Sequence, residues 1–181
     1  MLKHLLQILT LCLFVGGISA TVGAATKVEL DADVRAAVKN FYATVGAGRE
    51  LASKAAGMLV FPSVLKGGFV VGGEYGEGAL LTGGKIAAYY STASASVGLQ
   101  LGAQVKTQIL LFMTNAALKK FRASHGWEAG VDGSVALATL GAGGSLDTNT
   151  LQAPIIGFIF SNKGLMYNLS LEGSKITHID K

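Results

Sequence analysis

The stretch Gly57-Met58-Leu59-Val60-Phe61-Pro62-Ser63-Val64-Leu65-Lys66-Gly67-Gly68-Phe69-Val70-Val71-Gly72-Gly73-Glu74-Tyr75-Gly76-Glu77-Gly78-Ala79-Leu80-Leu81-Thr82-Gly83-Gly84 alternates short apolar runs with glycine. Met58-Leu59-Val60-Phe61 reads as a short strand stopped by Pro62, which has no N–H to give a ladder. Lys66-Gly67-Gly68 turns into Phe69-Val70-Val71. Residues 72 to 78 read as a glycine-dense bend, where glycine supplies positive φ and close backbone approach. Ala79 to Thr82 is the next strand, and Gly83-Gly84 is a hairpin turn leading into a strand over residues 86 to 90. Runs this short, joined by turns this tight, leave no room for crossover helices, so the sheet is expected to be mainly antiparallel.

Downstream, Ala95, Val97, Leu99 and Leu101 alternate with Ser96, Gly98, Gln100 and Gly102, the period of a strand with one buried face. Residues 107 to 113 are strongly apolar and read as a strand buried on both faces. A helix is expected over residues 115 to 124, with Thr114 as N-cap and Gly126 just past its end. Strands follow over 128 to 138, 143 to 147, 155 to 160, 165 to 171 and 175 to 179, with Ser161-Asn162-Lys163-Gly164 as a tight turn. Upstream, Val34, Ala37, Val38, Phe41 and Val45 share one face of a helix over residues 30 to 45, with Asp31 as its expected N-cap. A second short helix is expected over residues 49 to 56, closed by Gly57. The expected fold is α+β: a mainly antiparallel curved sheet or barrel with N-terminal amphipathic helices and one inserted helix.

The N-terminus has a different character. Lys3 and His4 form a short basic head, residues 5 to 15 are apolar apart from Gln7 and Thr10, and small residues follow to Ala25. That order describes a secretory signal peptide. The apolar run is too short for a bilayer span, which needs about 20 residues. Cleavage can follow Ala20, Ala24 or Ala25; Gly23 and Ala25 favour the last. The expected division is a signal peptide over residues 1 to 25 and one domain over residues 26 to 181, exported to the periplasm or cell envelope, or secreted. Cys12 is the only cysteine and sits inside the apolar run, so the mature chain has no disulfide and no thiol chemistry.

Gly accounts for 25 of the 181 residues, about twice the usual ~7%. Charged residues are 14%, against about 25% in typical soluble chains, and half the chain is hydrophobic. Such apolar content excludes disorder. The net charge of +4 falls to +3 once Lys3 is removed. With no basic run and no basic-aromatic interleaving, nucleic acid is not an expected partner.

The search for catalytic chemistry comes out nearly empty. His125 and His178 lie in no metal-ligand spacing, and there is no G-x-S-x-G elbow. No catalytic residue, metal or cofactor is expected. A phosphate loop would need G-x-x-x-x-G-K-[ST] before a helix, and residues 72 to 78 offer neither the lysine nor the helix. Glu74 and Glu77 are too few for a Ca²⁺ site. The basic residues say more. Arg35 and Lys39 are one turn apart and flank the apolar stripe that holds Phe41. Two readings of that stripe stand open: an interfacial helix with cations at headgroups, or a helix packed on the sheet with its cations in water. Lys119, Lys120 and Arg122 form a second basic cluster, late in their helix where a cation is favourable anyway.

Residues 57 to 78, as quoted above, resemble the signature of the SYLF family. The similarity continues at residues 96 to 104, at residues 121 to 135 with His125-Gly126-Trp127-Glu128, and at Ser161-Asn162-Lys163-Gly164-Leu165. It covers about residues 30 to 175. The resemblance implies a non-catalytic lipid-binding domain. Eukaryotic members bind phosphoinositides, partly through an amphipathic N-terminal segment, and some yeast relatives bind actin filaments; bacterial relatives are exported and bind phospholipid. By position the amphipathic segment falls on residues 30 to 45. The expected lipid contacts are Lys27, Arg35, Lys39, Phe41, Lys119, Lys120 and Arg122, with an anionic phospholipid or membrane surface as partner. The chain departs from the family in carrying no SH3 or FYVE module and no lipidated cysteine, and export makes actin an implausible target. The alternative is an envelope protein that binds a protein partner. An outer-membrane barrel is a third reading, but it needs about eight strands of 9–11 residues, longer than several of those expected here.

Overall fold

The computed structural model describes residues 25–68, 71–97, 104–138, 147–161, 164–165, 171 and 173–181. Residues 1 to 24 of the expected leader lie outside them. So do Leu99 and Leu101, residues 143 to 146 of one expected strand, and residues 166 to 170 of another.

Two helices open the domain, α1 (Lys27–Thr44) and α2 (Gly48–Lys54). Thr26, not the expected Asp31, caps α1 in a capping box. The Thr26 hydroxyl accepts from the Glu29 backbone N–H, while the Glu29 carboxylate takes the Thr26 backbone N–H at 2.9 Å and its hydroxyl at 2.7 Å. Those bonds hold the Glu29 carboxyl below its ordinary value. Asp31 instead accepts the Tyr89 hydroxyl at 2.7 Å, tying α1 to the sheet.

The strands are β1 (Gly57–Gly68), β2 (Val71–Thr82), β3 (Lys85–Val97), β4 (Gln104–Phe112), β5 (Trp127–Glu128), β6 (Ala136–Leu137), β7 (Ile155–Ser161), β8 (Gly164–Leu165) and β9 (Lys175–Ile179). They form one curled sheet in the order β5-β9-β3-β2-β1-β4-β7-β6, with β8 paired to β7. All pairings are antiparallel except β6 with β7. The two end strands, β5 and β6, are consecutive in the chain. A turn through Gly130 (φ 88°) joins them, and Ala129 bridges to Gly133. This turn splits what the sequence suggests as one strand over residues 128 to 138. The expected helix after β4 is α3 (Asn115–Ala123), capped by Thr114 as expected. A further helix, α4 (Thr148–Gln152), has no counterpart in the sequence reading; Asp147 caps it by accepting from the Asn149 and Thr150 backbone N–H groups.

Three expectations fail within β1 and β2. Gly57 does not close α2 but begins β1. Pro62 does not end β1, because the strand bulges there. Register slips between Val60 and Ser63 against β2, and between Phe61 and Val64 against β4. At a bulge a missing N–H costs nothing, and the Pro62 carbonyl is taken by the Thr107 hydroxyl at 2.7 Å. Residues 72 to 78 are not a bend but regular strand within β2, and none of these glycines has positive φ. At Gly76 and Gly78 the role is clearance. The bulge presses β1 backbone over β2, so a Cβ on Gly76 would stand 2.7 Å from the Ser63 carbonyl oxygen. A Cβ on Gly78 would collide with the Val60 carbonyl oxygen and stand 2.5 Å from Phe61 Cδ1. Gly83 (φ 56°) and Gly84 (φ 75°) do form the expected hairpin turn.

The sheet has an apolar layer on each face. Met58, Val60, Ala79, Tyr89, Ile109, Leu111, Ile156, Phe158 and Phe160 pack under Leu30, Val34, Phe41 and Val45 of the N-terminal helices and Leu51 of α2. Leu59, Phe61, Leu80, Tyr90, Leu110, Phe112 and Ile159 pack with Leu118 and Phe121 of α3 and with Trp127 on the other face. The alternation of β1 side chains between the layers is the period of two. Ile109 to Phe112 are buried in sequence, because β4 is covered on both faces as expected. Ala95, by contrast, is exposed.

Candidate functional site

The helix stripe settles first. Phe41 is wholly buried, 4.9 Å from Phe158 and 6.1 Å from Phe160 between ring centroids, edge to face. Val34 is equally buried, so the stripe packs on the sheet. The expected lipid contact at Phe41 is therefore corrected: its side chain is core and meets no surface.

The expected basic residues do not converge. Arg35 and Lys39 are exposed on α1. Lys27 is engaged, its ammonium donating to the Tyr89 hydroxyl and standing 4.1 Å from that ring's centroid. Lys119, Lys120 and Arg122 ride on α3, across the sheet from α1. Lys120 donates to the Asp132 carbonyl. Arg122 lies near Tyr90, whose hydroxyl burial pushes up against a smaller opposing pull from Arg122. One flat anionic surface cannot meet both sets.

Arg35 instead joins residues that sequence reading passed over. Two adjoining grooves open between α1, α2 and the β2–β3 turn. The first, about 550 Å³, is lined by Arg35, Tyr42 and Arg49 with Val38, Ala52, Ala55, Met58 and Leu81. The second, about 560 Å³, is lined by Lys27, Asp31, Arg35, Lys85, Ile86 and Tyr89 among others. Arg35, Leu81 and Gly84 line both. Arg49 lies over the Tyr42 ring at 4.8 Å, which fixes the guanidinium at the groove wall. Among the described residues, no acidic side chain lines the first groove. The one lining the second, Asp31, is occupied by Tyr89. Lys39 is among the lining residues of neither. Arg49 and Lys85 gave little local signal: one is the second residue of a seven-residue helix and the other follows a glycine turn.

The carboxylates of β2 are matched to cations. Glu74 lies between Lys106 at 2.6 Å and Lys66 at 3.3 Å. Glu77 pairs with Lys181 at 2.7 Å and accepts the Tyr75 hydroxyl at 3.1 Å. Three residues apart on a strand, the two point to opposite faces and cannot share an ion. Among the described residues, no group of three or more His, Cys, Asp or Glu side chains could hold a metal. Nor is any described helix long and apolar enough to cross a membrane.

Beyond α1's other flank the sheet presents large exposed apolar side chains. Leu65 (41% exposed), Tyr75 (50%) and Val105 (57%) stand side by side across β2, β1 and β4 and border a groove of about 540 Å³.

Residues 93–181 match the family described as Ysc84, Las17-binding protein actin regulator. No curated protein matches the chain. The match takes in the stretches at residues 96 to 104, 121 to 135 and 161 to 165, with the glycine-spaced strands β1 and β2 and most of β3 ahead of it. The matched region, just under half of the chain, is consistent with the resemblance to the SYLF domain family.

Proposed function

We propose that this domain, residues 26 to 181, is a non-catalytic module of the cell envelope that binds anionic phospholipid through the cationic grooves beside α1. The observation that carries the reading is that Arg35 and Arg49 line an apolar-floored groove which adjoins, at Arg35, a second groove lined by Lys85, with one acid among the described lining residues of the two, Asp31, already engaged. Guanidinium groups suit phosphate oxygens, and an apolar floor suits the chain behind them. Each cation near an anionic surface contributes about 1 kcal/mol, so removing two weakens binding about thirtyfold. Arg35→Glu with Arg49→Glu is expected to weaken binding to phosphatidylglycerol vesicles by at least that factor, with little effect on phosphatidylcholine vesicles or on the melting temperature. Lys39→Glu does less, and Lys119→Glu with Lys120→Glu nothing. Co-sedimentation at two salt concentrations measures this; wild-type binding by the arginine pair variant would remove the reading.

A second reading, a protein partner, draws on the exposed Leu65, Tyr75 and Val105 row and on the family's description as Las17-binding. Loss of partner capture by Tyr75→Ser, with vesicle binding intact, would favour it.

Export is part of the proposal and rests on the leader-like pattern of residues 1 to 25. Thr26, first after the favoured cleavage point, already caps α1. Lys181 donates to the Ala25 carbonyl at 2.6 Å, a bond that cleavage after Ala24 keeps and cleavage after Ala25 loses. The intact mass of the exported protein is expected to start at Thr26 or next to it; a mass retaining Cys12 with acyl chains would overturn this.

A further inference from the structure

The two grooves differ in character, and Arg35 stands where they join. On one side lie Val38, Ala52, Ala55, Met58 and Leu81, an apolar floor; on the other lies Lys85, in a groove of more polar lining. We infer that this paired groove is a binding site for one phospholipid molecule, not only a charged face for a bilayer. The inference rests on the lipid reading above and names its ligand form. The phosphodiester sits at Arg35, the start of an acyl chain runs over the floor at Met58 and Leu81, and the polar headgroup alcohol extends toward Lys85. The two volumes, about 550 and 560 Å³, suit a headgroup with the first part of a chain. Free phosphate would use Arg35 and leave the floor wet, so the apolar lining selects an amphiphile. A charged face built only for a bilayer needs cations on a protruding surface, whereas Arg35 and Arg49 line a concave one.

Ser53 lines the first groove and is exposed, so Ser53→Trp fills the groove without touching the core. The experiment titrates full-length mature protein with dihexanoyl phosphatidylglycerol below its micelle concentration, followed by amide chemical shifts, with inorganic phosphate as a parallel arm. One-to-one saturation is expected, with shifts confined to Val38, Tyr42, Met58, Leu81 and Lys85. Arg35→Ala is expected to weaken it at least tenfold and Ser53→Trp to abolish it, while Ser53→Trp still sediments with anionic vesicles. No saturable lipid binding, with vesicle binding intact, overturns the single-molecule site and leaves the surface reading standing. Failure in both assays overturns both. Equal response to inorganic phosphate, or binding unchanged by Ser53→Trp, overturns the assignment to the groove.

Discussion

Gly78→Val is expected to destabilise the domain severely. A Cβ at that position collides with the Val60 carbonyl oxygen and stands 2.5 Å from Phe61 Cδ1 and 2.9 Å from the Val60 carbonyl carbon. Two of these three atoms are backbone of the neighbouring strand, so no rotamer change relieves them. Relief would need the β1 bulge to be undone, and with it the register of β1 against both β2 and β4. Overpacking in a tight core costs about 1–3 kcal/mol and more where the backbone must move; here about 3 kcal/mol or more is expected. Gly76→Val is expected to behave similarly, since its Cβ meets the Ser63 carbonyl oxygen at 2.7 Å. Gly73→Val is the control. Its Cβ meets only the Ser94 carbonyl oxygen, at 3.7 Å, and the position is exposed. Urea unfolding of the three variants measures this. Near-wild-type stability of Gly78→Val would mean that the bulge is not fixed as described.

Those glycines also mark where sequence reading stops. Local chemistry was legible wherever one strand or helix suffices to express it. The Thr114 cap, the Gly83-Gly84 turn, the doubly buried β4 and the helix stripe all follow from adjacent residues. Gly76 and Gly78 of β2 do not, because their cause is the Phe61–Pro62 bulge on the neighbouring strand. Read alone, glycine spacing suggests a bend; read against β1, it is clearance. The site divides the same way. Arg35 is visible as a cation flanking a stripe, but its partners Arg49 and Lys85 are set by where α1 crosses the β2–β3 turn, which no local pattern encodes. Lys119, Lys120 and Arg122 resemble Arg35 and Lys39 in sequence and are separated from them by the whole sheet.

Phe41 is where the two readings of α1 give opposite outcomes. Were the stripe a membrane-inserting face, Phe41→Asp would leave the fold intact and abolish lipid binding. The ring is instead wholly buried against Phe158 and Phe160, with Gly48 kept small beside it: a Cβ there would stand 3.2 Å from the Phe41 ring. Truncating such a ring costs about 3–5 kcal/mol, and a carboxylate in its place adds the cost of an unpaired buried charge. Against the total stability of about 5–15 kcal/mol for a domain, Phe41→Asp is expected to unfold this one. Unfolding alone does not exclude a lipid role, so Phe41→Leu is the informative partner. It keeps an apolar side chain in the site, and the domain is expected to fold with reduced stability and to bind anionic vesicles as well as wild type does. A folded Phe41→Leu protein with lost vesicle binding would return the stripe to the lipid interface and would require α1 to lift from the sheet when it meets a membrane.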